Sequence, residues 1–496
     1  MNDFLIIWFF RAFIALVLGI GVAINFRQEW KYEQQVALTG CSARSEEKRT
    51  TVVWLSPWVL PFMMAVYWLI NSLFFGPALG TAFLLEFSLQ LLVLLSLYFA
   101  VLLLALPLLR RTISARACAT LWLLPVFLYY NIVVWQRSFV PPPVVLSIPK
   151  GLGPVLLGIW LAGAGAVALW HLISHLWFRR RLLKDARPVE DKAVWNLWAE
   201  ECHLALLRRY LPLLVSPAAT SPLTIGLFGR TMRTVLPERE YTLDQYRLIF
   251  RHELRHVQRQ DIATKCFYLL CKSLCWFNPL MWVAIRKASA DLELSCDEMV
   301  VCGAEDDTRR TYAALLLDTA GDERGLTTCL SASATSLRHR LKGVMAPVER
   351  TSGTLILGLI MAALMLCSGL VGVSTASGTA GELFFPDREE VSIQSVSVLT
   401  GTGSGYIQDP SPAVSLALVE ELSDLPVTRL ATGQNITGDR QPPSLSSFLC
   451  NGQRLLYLEL TDSLCCLTTL DDGKEIPVLY RVDGPVDWEG LLTLVK

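Results

Sequence analysis

The sequence predicts a mainly α-helical, polytopic membrane protein with a water-facing helical domain in its middle and a small α+β domain at its C-terminal end. Three observations predict it. Hydrophobic residues make up 53% of the 496 positions and charged residues only 18%, outside the range of ordinary soluble domains. Six apolar runs are long enough to cross about 30 Å of hydrocarbon. Beyond the last run, the composition turns to Gly, Ser and Thr and then to short alternating segments that read as strands.

The apolar runs lie at about 4–24, 52–75, 85–108, 117–136, 154–178 and 354–374. The first does not read as a cleaved signal peptide. It opens Met1-Asn2-Asp3 without a basic start, lacks a small-x-small cleavage site and is followed by further spans. Arg11 within it is relieved by snorkelling to the near interface. Arg27, Lys31, Arg44, Lys48 and Arg49 follow the first run, and Arg110, Arg111 and Arg116 follow the third. Arg179, Arg180, Arg181, Lys184 and Arg187 follow the fifth. The loop 76–84 carries no charge, and Phe139 to Gly153 carries only Lys150. Basic loops stay cytoplasmic, so the N-terminus is expected outside, 179–353 inside and the tail outside. The chain divides into 1–178 with about five spans, a cytoplasmic domain 179–353, a final span 354–374 and an extracytoplasmic domain 375–496.

The cytoplasmic domain carries the chemistry. His252-Glu253-Leu254-Arg255-His256 is an HExxH run, and on a helix its histidines fall one turn apart on one face, close enough to share a metal ion. The intervening Glu253 then stands where a general base for water activation is needed. The chain has only six histidines, and the motif uses two of them. A catalytic zinc needs a third protein ligand and keeps one position open. Ala290 to Glu298 offers Glu293 as that ligand, in the gluzincin manner, and Asp297 one turn on as a hydrogen-bond acceptor for a ligating histidine. The competing reading of these acids is a solvated helix face.

Residues 265–285 test the topology. They are apolar enough to suggest another span, but Lys272, Asn278 and Pro279 interrupt them. A single crossing there would put Glu293 on the opposite side of the membrane from His252 and His256. The segment is therefore expected to be a buried core helix, a re-entrant element or a tight hairpin. An interfacial or partly embedded helix is favoured, with Trp276 and Trp282 at the interface.

Several blocks in order resemble the membrane-bound zinc metallopeptidases of the BlaR/MecR type, the bacterial sensor-transducers that induce β-lactam resistance. Ser221-Pro222-Leu223-Thr224-Ile225-Gly226-Leu227-Phe228-Gly229 is followed by Thr234-Val235-Leu236-Pro237. Ile249 to His256 follows, with Arg259 and Asp261 close behind. Trp276-Phe277-Asn278-Pro279-Leu280-Met281-Trp282, Glu293 to Asp297, and Ser336-Leu337-Arg338-His339-Arg340-Leu341 complete the set. The resemblance covers residues from roughly 200 to 350. It implies one Zn2+ ion held by His252, His256 and Glu293, with Glu253 as general base. It also implies a multi-pass bacterial inner-membrane protein whose substrate is a cytoplasmic repressor of the BlaI/MecI kind, or the protein itself. No direct nucleic-acid contact is implied, and a homodimer is compatible with it.

The chain departs from the β-lactam sensors in its tail. Their external penicillin-binding domain is acylated at the serine of a Ser-x-x-Lys motif. Beyond the last span only Lys474 and Lys496 occur, three residues after Asp471 and Thr493, so the motif is missing. The tail is expected to sense another ligand or to cap the protein, with strands near Leu455 to Leu460 and Ile476 to Val482.

Other features carry weaker expectations. Leu223 to Phe228 and Thr234 to Leu236 read as two strands, either an ordinary hairpin or an edge that pairs with an extended substrate. Arg310 and Tyr312 are conceivable oxyanion partners without any geometry from sequence. His171 and His175 stand at i, i+4 without a companion acid, which favours interfacial packing over metal binding. The thirteen cysteines show no CxxC pair, and those before the tail are expected to be reduced or apolar in role. A disulfide among Cys450, Cys465 and Cys466 stays open. Two further function classes also stay open: a non-proteolytic receptor or scaffold with a structural metal site, and a transporter. The sparse intramembrane acids, with Glu86 at a span edge, weigh against the transporter.

Overall fold

The computed structural model describes residues 2–39, 59–130, 142, 144–149, 152–205, 207, 210–226, 231–319, 334–345, 350–385, 391–432, 436, 442–451, 454–471 and 474–496. Arg44, Lys48, Arg49, Phe228, Gly229, Arg230, Cys329, Asn435 and Thr437 lie outside them. The protein is mainly helical, and among the described residues three helices are long and apolar enough to cross a membrane, at Phe9–Gln35, Pro77–Thr112 and Val155–Lys184.

The membrane-type helices are α1 (Asn2–Thr39), α2 (Val59–Phe75), α3 (Pro77–Thr112), α4 (Ala115–Leu121) and α5 (Val126–Tyr130). Strand β1 (Val144–Pro149) and helix α6 (Leu152–Lys184) follow. The apolar run expected as one span at 117–136 is not one helix over its described part, 117–130. That part forms α4, a turn at 122–125 and α5, with Leu121, Trp122, Leu124 and Tyr129 wholly buried. Its apolar character serves the protein's own core. The first helix is also longer than its apolar run, because the polar stretch 25–39 continues the same helix.

The middle region comprises β2 (Arg187–Pro188), α7 (Lys192–Leu204), β3 (Leu213–Ser216), β4 (Leu223–Ile225) and β5 (Arg233–Pro237). Helices α8 (Leu243–Gln258), α9 (Asp261–Leu274), α10 (Pro279–Val300), α11 (Asp306–Asp318) and α12 (Ala334–Met345) complete it. The four strands form one sheet in the order β2-β3-β5-β4, so β4 is an edge. The two strands expected around Gly229 are β4 and β5, antiparallel.

Residues 265–285 fold as a hairpin. Asn278 caps α10 by accepting from the Leu280 amide at 3.0 Å, and Pro279 suits its first turn. The tip seats against the membrane-type helices. The Asn278 side chain donates to Ser96 Oγ of α3 at 2.9 Å, and Trp160 of α6 donates to the Leu274 carbonyl at 2.7 Å. Gly163 of α6 makes room for Trp276, whose ring atoms lie 2.2 Å from where a Cβ would stand. Phe267, Tyr268, Cys271, Met281 and Ala284 share one core with α3, α4 and the last apolar helix. At 1.5 Å rise per residue, Glu293 lies about 22 Å along α10 from the tip. Both arms thus end on the same side, and the ligands can meet.

The last apolar helix is α13 (Thr354–Cys367), followed directly by β6 (Val371–Thr379), so the run expected as a span to 374 ends as a strand. The C-terminal region adds α14 (Ala380–Phe384), β7 (Val391–Thr400), β8 (Gly403–Gln408), α15 (Pro412–Ser423) and β9 (Pro426–Thr432). Strands β10 (Ser444–Asn451), β11 (Arg454–Thr461), β12 (Leu464–Asp471) and β13 (Lys474–Val482) precede α16 (Trp488–Val495). The sheet runs β1-β6-β9-β13-β12-β11-β10-β7-β8. The α+β expectation extends further than the tail, because β1 joins from before α6, parallel to β6. Cys450 and Cys465 are free thiols. Adjacent residues on β12 face opposite sides of the sheet, which separates Cys465 from Cys466.

Candidate metal centre

Helix α8 starts with a capping box, Thr242 accepting from Gln245 and Gln245 accepting from the Thr242 amide. Its apolar face, with Leu248, Phe250 and Leu254, packs into the core of the middle region. Two residues past the helix, Gln260 takes a left-handed conformation, and the chain turns into α9. That turn swings Asp261 back beneath His256.

The sequence-predicted residues converge. His252 Nε2 and His256 Nε2 face each other at 3.1 Å, and Glu293 Oε2 lies 3.5 Å from both. Ligand atoms of a tetrahedral zinc with bonds near 2.0–2.1 Å stand roughly 3.3 Å apart, so this triangle fits one ion. Glu293 Oε2 is buried without a hydrogen-bond partner, as an oxygen reserved for a cation would be. The other ring nitrogens are engaged. His256 Nδ1 bonds Asp261 Oδ2 at 2.6 Å. His252 Nδ1 bonds the Tyr312 hydroxyl at 2.9 Å, and that hydroxyl donates to Asp297 Oδ1 at 2.8 Å. Each Nδ1 donating outward leaves its Nε2 lone pair for a metal.

Asp297 therefore reaches His252 mainly through Tyr312, with a direct separation of 3.4 Å. It is held by Arg340 in a two-pronged pair, at 2.6 and 2.8 Å. Burial, with Asp297 beside it, lifts the Tyr312 phenol well above its ordinary pKa, which keeps the donor proton in place. Burial works against the Glu293 carboxylate, but His256 and Lys265 outweigh it and hold its pKa well below the usual range. Lys265 Nζ is 3.3 Å from Glu293 Oε1.

Glu253 is 2% exposed and accepts from Thr224 Oγ1 of the edge strand β4 at 2.9 Å. Thr224 also shares a hydrogen bond with Thr234 of β5. Tyr312 lies buried behind His252 and Arg310 is exposed, so the structure does not bring them together as an oxyanion pair. His171 and His175 join no metal-ligand group among the described residues.

Sequence reading did not assign roles to Asp261, Lys265 or Arg340, and it offered Tyr312 for the oxyanion rather than for His252. Asp261 had one usable signal, an acid five residues after the second motif histidine. For Tyr312, 60 residues from His252, spacing carries none.

The profile of the family described as BlaR1 peptidase M56 matches residues 149–344, which contain the whole ligand cluster. Regulatory protein BlaR1 of Bacillus licheniformis is 23% identical to this chain over 266 residues, 51% of this chain and 43% of that relative. The matched region thus spans less than half of the relative's length.

Proposed function

We propose, for this membrane protein of the BlaR/MecR type, a zinc endopeptidase that cleaves a cytoplasmic transcriptional repressor, or itself, when an external stimulus acts. The carrying observation is the convergence of His252 Nε2, His256 Nε2 and Glu293 Oε2, with buried Glu253 next to His252 in the chain. A zinc ion held by these three residues would polarise a scissile carbonyl and acidify water. Glu253 then takes the water's proton and returns it to the leaving amine. Thr224 fixes the Glu253 carboxylate at the edge strand. A substrate strand paired with β4 would run past that carboxylate.

The basic clusters support a cytoplasmic metal end. Arg110 and Arg116 stand at the end of α3 and the start of α4, beside the metal domain, and the C-terminal sheet meets the opposite end of α3. That sheet is the proposed receiver of the stimulus.

Glu253→Gln tests the reading. Cleavage of a co-expressed repressor, or of the chain itself, is expected to fall roughly a thousandfold, with metal content unchanged. His256→Ala is expected to remove the metal. Unchanged cleavage and signalling in Glu253→Gln would instead assign a non-proteolytic receptor with a structural metal site.

A further inference from the structure

Helix α1 is 38 residues long, more than a bilayer requires, and its excess lays one face, with Glu29 and Glu33, against the protein. Glu33, near its end, is 2% exposed. Its Oε1 lies 3.1 Å from the Arg116 guanidinium and 3.9 Å from Arg259 Nε. Arg259 is likewise buried, donates to Ser295 Oγ at 2.7 Å and Cys296 Sγ at 3.1 Å, and stands 4.0 Å from Asp261. Asp261 holds His256 Nδ1. A line of buried charges thus runs from a membrane helix to a metal-facing histidine.

Neutralising Arg116 alone would not require this placement. Glu33 stands where two arginines converge, and Arg259 is flanked by Glu33 on one side and Asp261 on the other. Buried charges persist only when paired, so removing one member obliges its neighbours to move.

We infer that Glu33 is a positioning residue for His256: it fixes Arg259, Arg259 fixes Asp261, and Asp261 fixes the imidazole. The inference rests on the metal-site reading given above. It makes α1 part of the site's outer support. The same helix is pressed close against α13 at Gly19 and Gly358, with only the small side chains of Ala23 and Ala362 beside them. A Cβ on Gly19 would lie 2.6 Å from the Gly358 carbonyl oxygen, and one on Gly369 would lie 2.4 Å from the Arg11 guanidinium. Since α13 leads directly into β6, a displacement of the C-terminal sheet that moves α13 reaches His256 through α1 and Glu33.

The test uses the full chain in nanodiscs, loaded with Zn2+ or Co2+ against a chromophoric chelator. Glu33→Gln is expected to weaken Zn2+ binding about fivefold, below the roughly 10–100-fold of a direct histidine partner. It is also expected to shift the visible bands of bound Co2+. In an Asp261→Asn background the same substitution is expected to add little, because both act through one line. Zn2+ affinity within twofold of the native chain, or losses that add in full, overturns the inference. If Glu33→Gln does not accumulate, Glu33→Asp, which keeps the charge but shortens its reach, is expected to weaken binding about threefold and shift the Co2+ bands. Native affinity and bands there overturn the inference equally. His256→Ala separates the two readings: binding equal to the native chain's would sink the metal site itself, and this inference with it.

Discussion

His252, Glu253 and His256 are legible in the sequence because four residues make about one helical turn, and helix geometry does the rest. Tyr312 is not, because its role depends on α11 crossing behind α8. The Tyr312 hydroxyl carries the link between His252 Nδ1 and Asp297. Tyr312→Phe removes one oxygen while keeping the packed ring, so Zn2+ affinity is expected to drop about tenfold with the fold intact. Chelator competition on the purified chain measures this, and unchanged affinity would reduce Tyr312 to packing. The same reasoning separates Glu293 from an ordinary surface acid. Its helix face is as polar on paper as a solvated one, yet the side chain is buried among two histidines and Lys265.

At the scale of elements, the apolar run at 265–285 carries the lesson. Hydropathy alone suggests a span, whereas the requirement that Glu293 meet the histidines demands a return, which α9 and α10 provide. The break is local and readable: Asn278 caps and Pro279 starts a helix. What was not readable is the seat, built from Ser96, Trp160 and Gly163 on two other helices. Gly163→Leu would drive a side chain into Trp276, an overpacking expected to cost about 1–3 kcal/mol. Gly165→Leu meets nothing within 4 Å and serves as its control. Thermal melts followed by Trp fluorescence should show a lower midpoint only for the first, and equal midpoints would mean the tip is loosely held. The run at 117–136 misled for the opposite reason. Wholly buried segments and lipid-facing spans have the same composition, and only packing tells them apart.

Across the whole molecule, α3 connects the two ends. Near its start, Glu86 accepts from Arg429 at 2.6 Å and from the Thr375 amide at 2.7 Å, joining the C-terminal sheet. Near its end, Arg110 pairs with Asp291 of α10 at 2.7 Å, two residues from Glu293. The 24 residue steps from Glu86 to Arg110 rise about 36 Å, close to a bilayer's thickness. Glu86→Gln leaves Arg429 buried without its counter-charge, at an expected cost of about 3 kcal/mol. Faster amide exchange in β6 and β9 would report the loosened sheet, and native protection there would show that Glu86 does not secure it.

By itself the sequence pointed to the histidines and acids that converge, the helical class and the need for a non-crossing element, because these follow from periodicity, composition and ligand geometry within short windows. Tertiary structure alone decided which apolar helices face protein, that β1 joins the C-terminal sheet, and that Glu33, Asp261 and Tyr312 stand behind the paired histidines. Those contacts join residues tens to hundreds of positions apart, and no local pattern encodes which buried charge will meet which.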